Sequence, residues 1–197
     1  MSYTAWSVVF GEQPTAAKWN QLGANDAGFK DGTNIDDYAI LQRHLGTGIP
    51  VKVSAFRTGA VATGTTTMPF DDTIPQISEG NQYMSLSHTP LKSTNRLLII
   101  VNAFHSHSAA NGQSGVALFK NSDADAIAVA EIYENTATAI NMVPLMHEMQ
   151  AGTTSPITFT VRIGSQNAGT TTFNGQSSSR RYGGAAASGI LIIEYGA

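Results

Sequence analysis

The stretch Ile157-Thr158-Phe159-Thr160-Val161-Arg162-Ile163 alternates apolar and polar side chains. Successive side chains of a β-strand point to opposite faces, so the pattern predicts a half-buried strand with one face in solvent. Residues 97–104 and 190–195 are more continuously apolar. This favours strands that are buried on both faces or that lie at a contact between subunits. The sequence therefore indicates a β-sheet domain.

Several shorter segments around these strands also have strand-like composition. Further candidate strands are residues 116–119, 126–133 and 170–173. They are separated by clusters of Gly, Ser, Asn, Asp and Thr that are typical of turns, at residues 109–115, 121–123, 150–156 and 174–175. About eight short strands with such turns predict a mainly β fold, a jelly-roll-like antiparallel sandwich over residues 51–197.

Residues 1–50 have a different character and predict a short helical or extended N-terminal anchor. Residues 14–23 read as a short helix in which Ala16, Trp19 and Leu22 share one face, and Gly23 ends it. A second helix is predicted after Asp36 and runs to residue 45. Isolated helices of this length are marginal in water, so their apolar faces need a partner, either the rest of this chain or a neighbouring protein. We interpret residues 1–50 as a segment that attaches the protein to a neighbour.

The composition narrows the class of protein. Charged residues make up 13% of the chain, so the polar surface must come mainly from hydroxyl and amide side chains, which suits sheets and loops. The formal charge of −3 offers no basic footprint for nucleic acid. The longest apolar run, residues 97–101, is far too short to span a membrane, so no membrane insertion is expected. The chain has no cysteine, which excludes disulfides and thiolate metal sites.

Two side-chain pairs could carry chemistry. Asp71 and Asp72 are adjacent carboxylates, but neighbours in an extended segment point to opposite faces, so hydrogen bonding in a turn is favoured over an acid–base pair. His105 and His107 should share one face of a strand. Three such pairs on a threefold axis would offer six imidazole nitrogens to a metal; the alternative is two solvated histidines at a strand end.

The remaining motifs do not match the spacings of known catalytic sites. The run 112–115 lacks the G-x-S-x-G spacing of a nucleophilic serine, and His147-Glu148 lacks the second histidine of a zinc protease. Residues 180–184 (RRYGG) could form a ligand-binding loop, but a mobile connection before the last strand is favoured. We therefore expect no enzyme, and assign no catalytic, cofactor-binding or metal-binding residues.

Three segments carry a resemblance to a known class of proteins. Residues 68–76 (MPFDDTIPQ), with Glu79-Gly80 and Thr89-Pro90, resemble a segment of bacteriophage tail-fibre and related virion proteins that precedes the first long strand of a globular head. Residues 14–20 with 31–33 look like the opening segment of many such proteins. Residues 173–175 and 189–194 are similar to the end of their heads. The resemblance implies a trimer, a jelly-roll head and a role in adhesion or particle surface structure.

Together these observations predict a phage structural protein with 1–50 as virion-attachment segment and 51–197 as head. The favoured function is host-surface attachment by a trimeric short fibre or receptor-binding tip, made in the bacterial host cytoplasm and located in the virion. The alternative within this class is a capsid decoration or head-fibre protein. An alternative from another class is a glycan depolymerase, which the scattering of the 14 acidic residues among turns argues against. Expected partners are two further copies of the chain, other virion proteins through residues 1–50, and a host surface glycan or protein.

Overall fold

The computed structural model describes residue 13, residues 15–20 and residues 48–196. Residues 16–20 are helical, and Thr15 begins this helix because its hydroxyl accepts a hydrogen bond from the backbone N–H of Lys18 (3.3 Å). Part of the first predicted helix is thus confirmed. The second, after Asp36, lies outside the described residues, as does Leu22. The predicted division into 1–50 and 51–197 stays a prediction.

The rest of the described chain is mainly strand, as predicted. The strands are β1 (Pro50–Thr58), β2 (Ala62–Gly64), β3 (Asn81–His88), β4 (Arg96–His107), β5 (Gly112–Lys120), β6 (Ala128–Glu134), β7 (Asn141–Gln150), β8 (Ile157–Ser165), β9 (Thr171–Phe173), β10 (Gly175–Gln176), β11 (Ser179–Arg180) and β12 (Ser188–Tyr195). A short 3-10 helix, Tyr182–Gly184, precedes β12. No helix in this part of the chain has the length and apolar character needed to cross a membrane.

The eight long strands form two antiparallel sheets. Sheet 1 runs in the order β1-β12-β4-β7, with short β9 and β2 extending it beyond β4, and sheet 2 in the order β3-β8-β5-β6. The pairs are nested: the first long strand pairs with the last, β3 with β8, β4 with β7, and β5 with β6. A hairpin of four strand pairs rolled into two sheets is a jelly roll, so the predicted fold class is confirmed.

Alternating side chains of both sheets meet in the core. In β4, Leu97, Ile99, Val101 and Ala103 are fully buried between the sheets. β8 supplies Phe159, Val161 and Ile163 from sheet 2, which matches the alternation of residues 157–163 in the sequence. Other core side chains with large buried volumes are Met84, Leu118, Phe173, Ile190 and Ile192.

Three edge strands carry weaker sequence signals and were not predicted: β1 and β7 at the two edges of sheet 1, and β3 in sheet 2. β3 ends sheet 2, and β7 pairs only with β4. Pro144 lies within β7, opposite Asn102. Proline cannot donate to a sheet, so it is tolerated in an edge strand and obscures the strand pattern in the sequence.

Residues 65–80 cover the outer side of sheet 2. Met68 is buried there with Ala117 and Phe119, in a small cluster separate from the main core. A Cβ atom on Gly115 would lie 2.6 Å from the Met68 sulfur, and one on Gly164 would lie 3.0 Å from the Met68 Cβ. These glycines leave the notch that the methionine fills, and this fixes the covering segment on the sheet.

We expect Met68→Ala to lower the free energy of unfolding by about 2–5 kcal/mol, because it empties this notch. Phe70→Ala, two residues along the same segment at a side chain that is 58% exposed, should change it by less than about 0.5 kcal/mol. Urea unfolding of both variants checks this. Equal losses would show that Met68 does not hold the segment.

Candidate functional site

The adjacent carboxylates at 71 and 72 do not form a catalytic pair. The Asp71 Oδ1 atom accepts hydrogen bonds from the backbone N–H (2.8 Å) and the hydroxyl (2.5 Å) of Thr73. These bonds, the one from the hydroxyl above all, hold the pKa of Asp71 below its ordinary value. This is the turn hydrogen bonding that the sequence favoured, and it shapes the segment that covers sheet 2.

His105 and His107 share one face of β4, as predicted, but this face points into the sandwich. Both imidazoles are buried, and the His105 Nε2 atom lies 3.4 Å from Oε1 of Glu134, at the end of β6 in sheet 2. The same oxygen accepts a hydrogen bond from the Ser114 hydroxyl (2.7 Å). The alternation of β4 that buries Leu97 to Ala103 continues to its end, which brings the histidines inside.

Neither interpretation of the two histidines is therefore correct. They are not solvated, and a metal on a threefold axis cannot reach imidazoles enclosed by their own sandwich. Within residues 48–196 no group of three or more His, Asp or Glu side chains is suited to hold a metal. The sequence did not identify Glu134 as a candidate site residue, because its partners His105 and Ser114 lie far from it in the chain.

Burial sets the protonation of this cluster. Desolvation lowers the pKa of His107, although the charge of Glu134 opposes the shift. Burial alone would raise the pKa of Glu134, but the neighbouring His105 imidazole and the hydrogen bond from Ser114 bring it below its ordinary value. The cluster is thus a buried carboxylate kept ionised by its neighbours, with no opening to a substrate.

A second buried carboxylate, Glu194 on β12, organises the opposite end of β4. It accepts hydrogen bonds from His88 Nε2 (3.1 Å), the backbone N–H of Leu91 (2.8 Å) and Asn95 Nδ2 (2.6 Å). His88 ends β3, and its Nδ1 atom lies 2.9 Å from the hydroxyl of Ser54 in β1. One side chain therefore ties the last strand to β3, to the β3–β4 connection and, through His88, to β1.

The sequence motifs His147-Glu148 and 112–115 have structural roles in this fold. His147 is half-buried in β7, and desolvation lowers its pKa. Its neighbour Glu148 points outward and bonds to Arg96 and to the hydroxyl of Tyr195. Ser114 is fully buried and its hydroxyl donates to Glu134.

The outer side of sheet 1 is apolar. The cross-strand pairs Ile193–Leu98 and Leu191–Ile100 place four aliphatic side chains on this surface, each half-buried. Met146 extends the row from β7, opposite Ile100, and is 71% exposed. The whole surface, hereafter the apolar face, consists of Val53, Ala55, Leu98, Ile100, Met142, Pro144, Met146, Leu191 and Ile193. The two-sided apolar strands predicted from the sequence thus bury one side in the core and present the other on this surface.

Comparison with known proteins gives one family match. The family model described as the Pgp3 C-terminal domain, from a chlamydial virulence plasmid protein, matches residues 63–196, which are 134 of the 197 residues. No curated protein sequence matches significantly.

Similar solved structures are distant. Dimeric latent PorU from Porphyromonas gingivalis has 7% identity and a TM-score of 0.38, over 77% of this chain and 14% of that one. The infectious bursal disease virus Gx strain structure has 13% identity and a TM-score of 0.36, over 74% of this chain and 37% of that one. The enzymatically active domain of bacteriophage CBA120 tailspike protein 4 has 12% identity and a TM-score of 0.27, over 62% and 18%. The chain spans well under half of each of these structures, and likeness at this level supports no functional conclusion.

The family match corrects the functional interpretation of the sequence. The prediction of a phage virion protein, with host attachment or capsid decoration as its function and the virion as its location, is wrong, because the matching family is chlamydial. The virion partners assigned to residues 1–50 lose their basis with it.

Glu194→Ala should lower the free energy of unfolding by about 3–5 kcal/mol, because it removes the acceptor of the donors on His88, Leu91 and Asn95 from a buried site. Glu131→Gln, which removes an exposed carboxylate from β6, is the control and should cost less than about 0.5 kcal/mol. Thermal or urea unfolding at one fixed protein concentration measures both. A cost below 1 kcal/mol for Glu194→Ala would contradict its structural role.

The buried histidines predict a pH dependence. Burial lowers the pKa of His88, His107 and His147 in the folded protein, so the unfolded chain binds more protons as the pH falls through the ordinary histidine pKa of about 6.5. The free energy of unfolding should therefore be constant above about pH 7 and decrease between pH 7 and 5.5. Urea unfolding across this range tests this, and His107→Asn should show a smaller decrease. A stability that rises on acidification would contradict it.

Proposed function

Because the chain belongs to the family of the Pgp3 C-terminal domain, we propose that its jelly roll is a trimerisation module and that it acts by binding rather than by catalysis. The C-terminal domain of Pgp3 is known as a trimerising domain, which supports a homotrimer here. The observation that carries the proposal is the apolar face of sheet 1.

An apolar face of this kind requires a cover. Its central side chains, Leu98, Ile100, Leu191 and Ile193, lie next to one another across β4 and β12. Contiguous apolar surface rimmed by polar groups marks a protein contact. Arg96, Glu148 and Tyr195 form a polar cluster at one end, and Arg57 and Asn102 lie at the other. Three copies that turn this face toward a common axis would remove it from water and close the assembly.

The acidic side chains support a non-catalytic role. Glu134 and Glu194 are enclosed and hydrogen-bonded within the sandwich. Asp71 is bound to its own turn, and Glu148 to Arg96. An acid–base enzyme needs carboxylates that converge on an accessible substrate position. These carboxylates do not, which favours binding as the function.

We expect light scattering to give a mass three times the 20.8 kDa of one chain. Met146→Glu, which places a charge on the apolar face at a side chain exposed in the single chain, should shift the protein to monomers at micromolar concentration. Val129→Glu is the matched control, because Val129 is 45% exposed on β6 in sheet 2. It should leave the trimer intact.

Circular dichroism of both variants shows whether each chain remains folded. A monomeric wild-type protein, or a folded Met146→Glu variant that still forms trimers, would contradict the assignment of this face.

A further inference from the structure

A cavity at the far end of β4, beyond the apolar face, is lined only by hydroxyl-bearing residues. Its volume is about 280 Å³, and its lining residues are Ser106, Ser108, Thr138, Thr170, Thr172, Ser177 and Ser178. A hydroxyl can both donate and accept a hydrogen bond, so such a lining suits a ligand that carries hydroxyls of its own. None of these lining residues is charged.

Backbone strain in the described chain is concentrated at this cavity. Seven residues other than glycine have positive φ, and three of them are asparagines, which tolerate this conformation. Three of the remaining four line the cavity: Thr138 (φ 63°), Ser177 (φ 48°) and Ser178 (φ 61°). The fourth, Tyr182 (φ 48°), follows in the next loop. Strained backbone persists only where the surroundings hold it, and it clusters at ligand sites.

The two serines make the turn of the β10–β11 hairpin. Both central residues have positive φ, a turn type that strongly favours Asn-Gly over Ser-Ser. The Ser178 N–H donates to the hydroxyl of Thr172 (3.1 Å), which helps to hold the turn over the cavity. Serine disfavours positive φ, so the fold holds Ser177 and Ser178, and with them their hydroxyls, in a conformation that asparagine or glycine would adopt more readily.

A chain of hydrogen bonds joins this cavity to Arg181. The N–H of Thr138 donates to the carbonyl of His107 (2.7 Å), and the Gln176 amide donates to the carbonyl of Thr138 (2.7 Å). Arg181 Nε in turn donates to Gln176 Oε1 (3.0 Å). The guanidinium is thus fixed by a residue that also contacts the cavity wall.

The loop that carries Arg181 is basic and presents an aromatic ring. The sequence has no acidic residue between Glu148 and Glu194, and neither Arg180 nor Arg181 has a carboxylate partner among the described residues. Arg57 adds a third guanidinium, because its Nη2 atom donates to the carbonyl of Ala185 in the same loop (3.3 Å). The side chain of Tyr182 is 82% exposed. This loop is a connection to the last strand, as the sequence favoured, but hydrogen bonds fix its conformation.

We propose that the hydroxyl-lined cavity and the loop 180–184 bind a saccharide unit that carries a carboxylate or a sulfate group. The serine and threonine hydroxyls of the cavity exchange hydrogen bonds with those of the sugar. That of Ser106, which already donates to the carbonyl of Gly175 (3.0 Å), can only accept. Arg181 pairs with the anionic group through its forked N–H donors. The Tyr182 ring offers an apolar surface to the C–H face of the sugar.

Isothermal titration calorimetry with three probes tests the site: a heparin-derived tetrasaccharide for sulfate, N-acetylneuraminic acid for carboxylate, and maltotriose as the neutral sugar. We expect binding of one or both anionic probes and none of maltotriose. Arg181→Gln should weaken binding at least tenfold. Lys120→Gln, the same loss of charge at the end of β5 in sheet 2, should leave it unchanged.

Ser177→Gly separates a binding role from a structural one. Glycine adopts positive φ without strain, so this variant should unfold at a higher temperature than the wild type and yet bind the saccharide more weakly, because one cavity hydroxyl is lost. A merely structural serine would give higher stability with unchanged affinity.

Several results would overturn the proposal. They are no binding of either anionic probe, equal binding of maltotriose, equal weakening by Arg181→Gln and Lys120→Gln, and full affinity in Ser177→Gly. Light scattering on each variant shows whether its assembly matches that of the wild type, so a failure here is distinct from a failure of the trimer.

Discussion

The buried carboxylate of Glu194 is the interaction on which the arrangement of the sandwich depends. A carboxyl group buried away from water is tolerated only when its oxygens are hydrogen-bonded. Here the donors come from β3, from the β3–β4 connection and from the Asn95 side chain, while the acceptor arrives on the last strand. The strand that closes sheet 1 therefore also fixes a corner of sheet 2. Glu134 plays a comparable part at the other end of β4, where it meets His105 and Ser114.

Local patterns in the sequence predicted the elements of this fold well, and contacts across the chain could not be read from it. The alternation of residues 157–163 and the two-sided apolar runs at 97–104 and 190–195 correspond to β8, β4 and β12. Because successive side chains of a strand point to opposite faces, β4 buries one set of its apolar residues in the core and presents the other set on the apolar face. The contact of His105 with Glu134 depends on how sheet 1 packs on sheet 2, and no spacing of residues in the sequence predicts that packing.

The structural roles of residues 68–76 explain why the resemblance to phage tail-fibre proteins predicted the fold correctly and the function wrongly. Its features have structural roles: Met68 fills a notch left by glycines, Asp71 closes a turn, and the Gln76 amide donates to Asp125 (2.8 Å). Such residues are needed wherever a segment of this shape covers a jelly-roll sheet. They carry information about packing and none about the particle or organism in which the protein works. The surfaces for which we propose a binding role lie elsewhere, on the outer side of sheet 1 and around the hydroxyl-lined cavity.

The nested strand order has a consequence for synthesis on the ribosome. Thr58 at the end of β1 pairs with Ser188, 130 residues later in the chain. β4 can pair with β7 once residues 141–150 have been synthesised, but its other neighbour, β12 (188–195), is the last strand of the sandwich to be made. A topology of such high contact order folds slowly, and the sandwich cannot be completed before β12 has been synthesised. A newly made chain is therefore most exposed to aggregation and to the action of chaperones in the interval before β12 inserts.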